Sequence, residues 1–372
     1  MRHPREAAGV VAHVTTAHPA TDNRIFRKEC RALTQAGLCV YLVAVADIDH
    51  EEDGVAIIAL PKRHSRVTRI LIGPVDAWQA LRRLRPDMIH VHDPELVPLA
   101  VAWHLLTRRP AVYDAHEDLT KQVANKLYLP RRLRRATAGL ARALEAVADH
   151  RLSGVVVATP AIAKKYRHAP VTLVQNFPWL RDFPEPTDVD PSSTTVAYIG
   201  GISEGRGALK MMQAVATSTR GARLVLAGPI STASLESRIQ ARTDDVNYLG
   251  VIPAESIPGV LASSCAGLAV LNPLPNYLEA QSTKIYEYMA AGRPFIASNF
   301  PSWEEQLGQY GCGIFVNPLS SDAIREAIDQ IISNTELARE MGERGRKALV
   351  DNFVFEVEAT RLVAITRGLL KI

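Results

Sequence analysis

The 372-residue sequence lacks several features that would place it in other classes of protein. It has no apolar run of about 18 residues or more, which argues against a transmembrane helix. Its first residues contain no apolar stretch of the kind found in a signal peptide. The four cysteines are scattered and form no C-x-x-C pair, so neither a zinc site nor a disulfide framework is indicated. We therefore expect a cytoplasmic protein with reduced thiols.

Charge is distributed unevenly along the chain. Residues 1–180 carry 26 Lys and Arg against 17 Asp and Glu, whereas residues 181–372 carry 17 against 22. The basic first half favours an anionic partner or a membrane surface. Within it, Arg131–Leu144 predicts a basic amphipathic helix. This helix either lies on an anionic membrane or is a solvated helix whose Leu and Ala side chains face the core.

Short apolar runs alternate with longer amphipathic ones, which predicts strands alternating with helices. The pattern predicts strands at 10–15, 39–46, 55–60, 87–92, 111–114, 153–157, 171–175, 194–199, 223–227, 246–249, 267–271, 294–297 and 313–316. It predicts helices in the first half at 24–36, 74–84, 94–106, 131–149 and 160–167, and a last helix at 353–370.

Strand–helix alternation implies right-handed crossovers and parallel sheets covered on both faces. The alternation is interrupted at 176–193 by four prolines and several turn formers. We therefore predict an α/β protein with two doubly wound, Rossmann-like domains facing each other across a cleft. Their expected boundaries are 1–178, a linker at 179–193, 194–352, and a C-terminal helix at 353–372. Ligands should bind beyond the carboxyl ends of the strands.

The loop after the first strand, Thr15–Arg24, contains no glycine and so lacks the G-x-G-x-x-G of a classical dinucleotide site. Its polar side chains, with Asp22, Asn23 and Arg24 at its end, either approach a hydroxylated substrate or form a capped turn.

Two further strands of the first half end in histidines. His90 and His92 share one face of a strand, so they could ligate a metal only with a third ligand that the sequence does not place. We expect no metal, and we place His92 at the edge of the ligand cleft. His116 lies just past the end of the strand at 111–114, where a functional residue is expected.

A glycine-rich loop follows the first strand of the second half. Gly200, Gly201, Arg206 and Gly207 precede a helix, an arrangement that lets backbone N–H groups and the helix N-terminus approach an anion. The Arg206 guanidinium adds a forked donor suited to phosphate. Such turns are also common without a ligand.

Two D-x-D strings, Asp47-Ile-Asp49 and Asp188-Val-Asp190, could hold a divalent metal against a diphosphate. The first begins an acidic loop at 47–53 and the second lies in the expected linker, so we interpret both as solvated.

Two glutamates bracket seven residues in Glu279-Ala-Gln-Ser-Thr-Lys-Ile-Tyr-Glu287. A helix that starts near Ser282 and Thr283 leaves Glu279 in the loop and puts Glu287 in the second helical turn. The amides of Ser282, Thr283 and Lys284 then lie between the two carboxylates. A nucleotide sugar fits this arrangement, although two surface acids could also flank a buried helix by chance.

These residues together resemble the retaining GT-B glycosyltransferases of family 4. The match rests on the E-x7-E string, on the following Tyr-Met-Ala-Ala-Gly-Arg-Pro-Phe-Ile-Ala-Ser, and on weaker motifs at 13–16, 22–29, 92–96 and 113–117. The resemblance covers nearly the whole chain.

The resemblance implies a role for each matching position. Glu287 would bind the donor ribose, and Glu279 would contact the donor sugar. His116 would approach the reacting carbon, and Arg206 would bind phosphate. Residues 248–251, ending at Val251, would lie near the base. The chain departs from the family where Gly200-Gly201 replaces the usual Gly-Arg and where Asp22-Asn23 replaces Gly-Gly.

The function implied is metal-free transfer of a sugar, with retention, from a nucleotide-diphosphate sugar to an acceptor hydroxyl. No cofactor is expected, a UDP-sugar is the favoured donor, and nucleic acid is not an expected partner. Asp22, Asn23, Arg24 and His92 are the expected acceptor-side residues. The acceptor would meet the basic first domain, which favours a lipid-linked or anionic acceptor and peripheral membrane contact. The alternatives are a nucleotide-sugar epimerase of the same architecture, a non-catalytic nucleotide-sugar-binding protein and a metal-dependent GT-A enzyme.

Overall fold

The structure is a computed structural model that describes residues 9–116, 131–187, 190, 192–242 and 244–372. The chain divides into two compact units. The first unit contains the described residues up to Asn176 together with Phe355–Ile372, and the second is Phe177–Val354. The boundary lies two residues before the expected linker, and the C-terminal segment belongs to the first unit.

The first unit is built on one eight-stranded sheet with the order β3-β4-β2-β1-β5-β6-β7-β8. Its strands are β1 Val10–Pro19, β2 Cys39–Val45, β3 His50–Glu52, β4 Val55–Leu60, β5 Met88–Val91, β6 Ala111–Ala115, β7 Gly154–Val157 and β8 Val171–Leu173. All neighbours pair in parallel except β3 with β4. Strand residues such as Val11, Ala12 and Val14 are fully buried, as expected when helices cover both faces.

The helices of the first unit form two layers. They are a π-helical turn Ile25–Cys30, α1 Arg31–Gln35, α2 Arg66–Leu84, a 3₁₀ turn Pro94–Leu96, α3 Val97–Thr107, α4 Arg131–Arg151, α5 Pro160–Ala163 and α13 Phe355–Leu370. Right-handed crossovers place α2, α3 and α4 on one face of the sheet, because the connections from β4 through β7 all advance in the same direction. Helix α13 contacts α1, the π-helical turn and β8.

The second unit has a six-stranded parallel sheet with the order β11-β10-β9-β12-β13-β14. Its strands are β9 Thr195–Ile199, β10 Arg223–Ala227, β11 Val246–Tyr248, β12 Ala266–Ala269, β13 Phe295–Ser298 and β14 Gly313–Val316. Its helices are α6 Ala208–Ala216, α7 Ala233–Gln240, α8 Ile257–Ala262, α9 Thr283–Ala290, α10 Pro301–Leu307, α11 Ser321–Ser333 and α12 Thr335–Asn352. Short 3₁₀ turns lie at Leu180–Asp182, Glu204–Arg206, Ala254–Ser256 and Gly308–Tyr310.

The prediction of two doubly wound α/β units is confirmed, and three local expectations differ from the structure. The acidic loop at 47–53 contains the antiparallel strand β3, whose carboxylate neighbour Asp49 accepts the Ala59 N–H at 2.7 Å. Helix α2 begins at Arg66 rather than residue 74, because Ser65 caps it by accepting the N–H of Thr68. Helix α5 ends at Ala163, four residues before its predicted end.

The segment expected to be a linker packs with the second unit. Trp179 and Phe183 are buried, and Phe183 belongs to the same apolar cluster as Tyr286 and Phe295. The second D-x-D string falls partly on Asp188, outside the described residues. No helix in the described part of the chain is long and apolar enough to cross a membrane.

Candidate functional site

The order of the second sheet marks a place where a ligand would bind. Strands β10 and β11 lie on one side of β9, and β13 and β14 lie beyond β12 on the other side. The strand order therefore reverses between β9 and β12, and the loops that leave their carboxyl ends flank this point. We call these two loops, 200–207 and 270–284, the glycine edge.

The first loop of the glycine edge is held against its own strand. Tyr198 donates its hydroxyl hydrogen to the Gly201 carbonyl at 2.8 Å, and Arg206 Nη1 lies 3.3 Å from the same oxygen. Gly207 has a φ of +78°, and a Cβ there would overlap the Val270 carbonyl, so the loop requires glycine. The predicted residues Gly200, Gly201 and Arg206 are thus brought together.

The second loop is fixed from both ends. Asn272 donates its backbone N–H to the Gly205 carbonyl at 3.0 Å, which joins the two loops. Trp303 Nε1 donates to the Ala280 carbonyl at 2.7 Å, and Ser302 donates to the Leu278 carbonyl at 2.6 Å. These bonds hold the residues on both sides of Glu279. Sequence reasoning missed Trp303, since no local pattern indicates a bond across 23 residues.

Helix α9 starts where the sequence predicts. Ser282 is the residue before the helix and Thr283 is its first residue. Glu279 therefore lies in the loop, exposed, and Glu287 lies half-buried in the second turn. Ile285 donates its N–H to the Ser282 carbonyl at 3.1 Å, and the N–H groups before it have no carbonyl partner within the helix. This end of α9 presents donors and positive potential between the two glutamates.

Lys284 adds a second cation to the glycine edge. Its Nζ lies 4.8 Å from the ring centroid of Tyr198 and 3.6 Å from where a Cβ on Gly200 would be. A Cβ on Gly201 would lie 2.8 Å from Arg206 Nη1. Lys284 and Arg206 therefore approach the two consecutive glycines from different elements. Burial, reinforced by the Arg206 charge and opposed by Glu287, lowers the pKa of Lys284 to about 8.

Val251, the remaining residue predicted to bind the sugar donor, lies in the loop after β11. Val251 is 73% exposed. Nearby, Tyr248 donates its hydroxyl hydrogen to the Gly228 carbonyl at 3.0 Å, and the Gly228 N–H bonds to the Gly250 carbonyl at 2.7 Å. The loop that carries Val251 is therefore tied to the end of β10, next to β9.

The first sheet also reverses its strand order, between β1 and β5. Asp93 follows β5 and is hydrogen-bonded to the second half of β1. Its Oδ2 accepts the Thr15 hydroxyl at 2.9 Å, the Thr16 N–H at 2.6 Å and the Ala17 N–H at 3.1 Å. We call the polar residues around the ends of β1, β5 and β6, among them Thr15, Asp93 and His116, the histidine edge. Asp93 is one of its organising residues.

Beneath the histidine edge lies a fully buried polar cluster. The rings of His13, His90 and His92 have centroids 4.7–5.1 Å apart, and His13 Nδ1 is 2.9 Å from His92 Nε2. Burial lowers the pKa of all three histidines, so they are neutral. Burial, with the Asp114 charge nearby, raises the pKa of Glu29 well above its usual value.

Asp114 is the charged centre of this cluster. Arg24 donates to both of its oxygens at 3.0 and 3.1 Å, and Arg24 Nη1 donates to the Val174 carbonyl at 3.0 Å. Although burial alone would raise it, the Arg24 charge, together with the nearby His116 and His92 rings, holds the pKa of Asp114 well below its usual value. His116 Nδ1 lies 3.7 Å from Asp114 Oδ1, and the His116 side chain keeps 16% of its surface exposed.

Arg24 and His92, both expected on the acceptor side, have buried side chains. The Arg24 side chain is 5% exposed and the His92 side chain is fully buried. Both side chains face Asp114, which is 90 residues from Arg24 in sequence.

Asp22 and Asn23 have different environments. The Asp22 carboxylate accepts the N–H groups of Arg24 and Ile25 at 2.9 Å, so it caps the π-helical turn. It also lies 3.3 Å from His18 Nδ1. Although burial opposes it, these hydrogen bonds lower the pKa of Asp22 to about 2. Asn23 is exposed. Sequence reasoning did not single out His18, whose ring packs edge-on against His116 at 5.3 Å.

Three groups of side chains in the described residues have ligand atoms close enough to share a metal ion. They are His13 with Glu29 and His90, His92 with Asp114 and His116, and Asp149 with His150 and His168. In the first two, the Arg24 guanidinium already occupies the carboxylates. Asp149 accepts the backbone N–H groups of residues 167–169.

Two doubly wound α/β units are the architecture of the GT-B glycosyltransferases. Family models agree: "Glycosyltransferase Family 4" matches residues 23–177, and "Glycosyl transferases group 1" matches residues 181–348. The chain belongs to glycosyltransferase family 4.

Solved structures share the fold at low sequence identity. Sucrose-phosphate synthase from Thermosynechococcus elongatus is 17% identical with a TM-score of 0.77, over 98% of this chain and 99% of that one. Anabaena Alr3699/HepE in complex with UDP-glucose is 13% identical with a TM-score of 0.75, over 97% and 100%. An MMP alpha-(1->4)-mannosyltransferase from Mycolicibacterium hassiacum is 27% identical over 124 residues, which span 33% of this chain and 29% of that protein.

Proposed function

We propose that this protein is a retaining, metal-independent hexosyltransferase that uses a nucleotide-diphosphate sugar. The observation that carries the proposal is the approach of Arg206 and of Lys284, the second residue of α9, to the Gly200-Gly201 backbone. Two cations and the first N–H groups of α9 suit a diphosphate.

In this proposal Lys284 supplies the charge that the family's Gly-Arg pair would provide. Gly201 leaves the arginine position without a side chain, and its absence gives the Arg206 guanidinium room to lie against the backbone. Lys284 approaches the neighbouring glycine from α9. The diphosphate would therefore be neutralised from two separate elements.

The two glutamates would hold hydroxyl groups on either side of the diphosphate. Glu287, in the second turn of α9, would accept hydrogen bonds from the ribose, and Glu279, in the loop braced by Trp303, would accept them from the sugar. Val251 would lie beside the base. A UDP-sugar is our favoured donor, and UDP-glucose is the ligand of one protein with this fold.

In the reaction, the bond between the anomeric carbon and the phosphate oxygen breaks while the acceptor oxygen bonds to the same face of that carbon. The acceptor proton passes to the leaving phosphate oxygen, so no enzymic nucleophile is needed. Arg206, Lys284 and the helix N-terminus stabilise the charge that grows on the leaving group. We assign the contact near the reacting carbon to His116, whose Nδ1 lies 3.7 Å from Asp114 Oδ1.

The first test is a binding screen. Wild-type protein should bind one nucleotide sugar from a panel that varies base and sugar, measured by thermal shift and calorimetry. Glu287→Ala should weaken this binding about 10- to 100-fold, because a hydrogen bond to a charged group contributes about 1.5–3 kcal/mol. Glu305→Ala removes an exposed carboxylate of the same unit and serves as the control. Equal affinity in all three proteins would contradict the assignment of Glu287.

A second test separates chemistry from donor binding. His116→Ala should slow release of nucleoside diphosphate from the selected donor about 100-fold, a loss typical of a positioned transition-state contact. Its affinity for the donor should stay within about twofold of wild type, since the glycine edge is intact. His64→Ala, at an exposed histidine, is the matched control. Wild-type turnover in His116→Ala would refute the role, and epimerised sugar without an acceptor would refute the transfer reaction.

A further inference from the structure

Helix α2 exposes apolar side chains along its first half. Val67, Leu71 and Val75 are 65%, 69% and 52% exposed and follow one another at four-residue spacing, so they lie along one stripe of the helix. The side that packs on the sheet is formed instead by small residues, among them Gly73 and Ala77. An apolar stripe of this kind is unusual on a surface exposed to water.

Helix α4 exposes a second apolar stripe, framed by arginines. Leu133 and Leu140 are 51% and 61% exposed and lie seven residues, or about two turns, apart. Exposed arginines accompany this stripe at positions 132, 135 and 142.

The carboxylates of α4 do not offset these arginines at the surface. Glu145 and Asp149 are both buried. Lys165 pairs with Glu145, and the backbone N–H groups of residues 167–169 bond to Asp149. Among the described residues of α4, the exposed face therefore carries positive charge and no negative charge.

The two stripes belong to one layer of the first unit. Helices α2, α3 and α4 cover the same face of the sheet, and Trp78 of α2 packs edge-on against Trp103 of α3 at 6.0 Å. The 3₁₀ turn Pro94–Leu96 contacts both α2 and α4. This turn follows β5, so the two helices flank the carboxyl edge of the sheet, where the histidine edge lies.

We propose that the exposed faces of residues 66–75 and 132–147, the α2–α4 surface, bind an anionic lipid bilayer. Leucine and valine side chains would enter the boundary between head groups and acyl chains, and the arginines would meet the lipid phosphates. A second copy of the chain would present the same positive charge and repel it. Nucleic acid would match the charge but leave both apolar stripes in water.

Vesicle co-sedimentation of the full chain tests this surface. Wild-type protein should partition at least tenfold more strongly to vesicles with 30 mol% phosphatidylglycerol than to phosphatidylcholine alone, and added salt should weaken the binding. The triple charge reversal R132E/R135E/R142E should lower partition to anionic vesicles at least 100-fold. The loss of each basic residue should cost about fivefold in partition, and each acid gained should lower it further. The control R220E/R223E/R238E makes the same charge change at exposed positions of the second unit.

A second variant probes the apolar part without altering charge. L71S/L140S should lower partition to anionic vesicles about tenfold and leave the melting temperature unchanged, because both side chains are exposed. Binding of the nucleotide sugar should persist in every variant, so this test is independent of the donor site. The proposal is overturned if wild-type protein ignores anionic vesicles, if it binds single-stranded RNA or heparin but no vesicles, or if the control loses as much binding as the arginine reversal.

Discussion

Lys284→Met should lower the affinity for the donor nucleotide sugar about 100-fold, the upper range for a lost hydrogen bond to a charged group. The reason is geometric. Lys284 Nζ lies beside Gly200, and Arg206 lies over Gly201, so each cation has its own approach to the backbone that would hold the diphosphate. Methionine keeps the length and packing of the lysine stem and removes the charge. Calorimetric titration with the nucleotide sugar measures the effect.

The same binding should depend on pH in the wild type. Lys284, with a pKa of about 8 before ligand arrives, is partly neutral above that pH, whereas a bound diphosphate favours its charged form. Binding should therefore take up a proton near pH 8, and affinity should fall as the pH rises through this value. Tyr198, which faces Lys284, has a pKa raised by burial to about 12 and does not titrate in this range. Arg206, whose pKa is raised, keeps its charge there.

Lys284→Arg is the matched control, because it keeps a cation that cannot lose its proton. It should bind the donor without proton uptake, as judged by titration in two buffers of different ionisation enthalpy. Equal proton uptake in the wild type and in Lys284→Arg would show that another group titrates. Unchanged affinity in Lys284→Met would remove Lys284 from the diphosphate site.

Asp114→Asn should destabilise the first unit by about 3–5 kcal/mol, the cost of leaving a buried charge without its partner. The stranded charge is Arg24, which is 5% exposed and bonds to both Asp114 oxygens. Glu29 Oε1 lies 3.1 Å from Arg24 Nε, but burial raises the pKa of Glu29, so it replaces Asp114 only in part. For a unit of this size the change corresponds to a melting temperature lower by about 10 °C.

Differential scanning calorimetry can assign this loss to one of the two units. Asp47→Asn, at an exposed aspartate of the same unit, should leave the transition unchanged. The folded pKa of Asp114 is depressed, so its contribution is present at neutral pH and is lost as the pH falls below about 4, the unfolded value. Asp114→Asn should therefore remove part of the acid sensitivity. A melting temperature equal to wild type at pH 7 would contradict the buried ion pair.

The strand pattern could be predicted closely because apolar runs mark strands that are buried on both faces. Strand β3 was missed because His50–Glu52 is polar and lies at the edge of the sheet. A signal for it was present in Asp53-Gly54. Both residues have positive φ, 52° and 76°, as a two-residue hairpin turn requires.

The glycine edge was predictable where its parts are local in sequence. The start of α9 at Thr283 follows from capping preferences, and the placement of Glu279 and Glu287 follows from that start. The histidine edge depends on contacts between distant segments. Arg24 and His92 are polar residues near strand ends, which made them candidates for acceptor contact. In the structure both side chains are buried beside Asp114. Trp303 could not be found for the same reason.

The first unit is discontinuous in sequence, and this bears on how the protein is made. Helix α13, whose Phe355 and Leu362 are fully buried, contacts β8 and α1 but is synthesised only after the whole of Phe177–Val354. The nested second unit is continuous, and its two ends meet, since the rings of Phe177 and Phe353 are 5.4 Å apart. On the ribosome, where domains fold as units when their residues emerge, the second unit can therefore finish folding first. Synthesis of the first unit begins earliest, but the apolar surface that α13 covers stays exposed until α13 is made. Chaperones would recognise this surface.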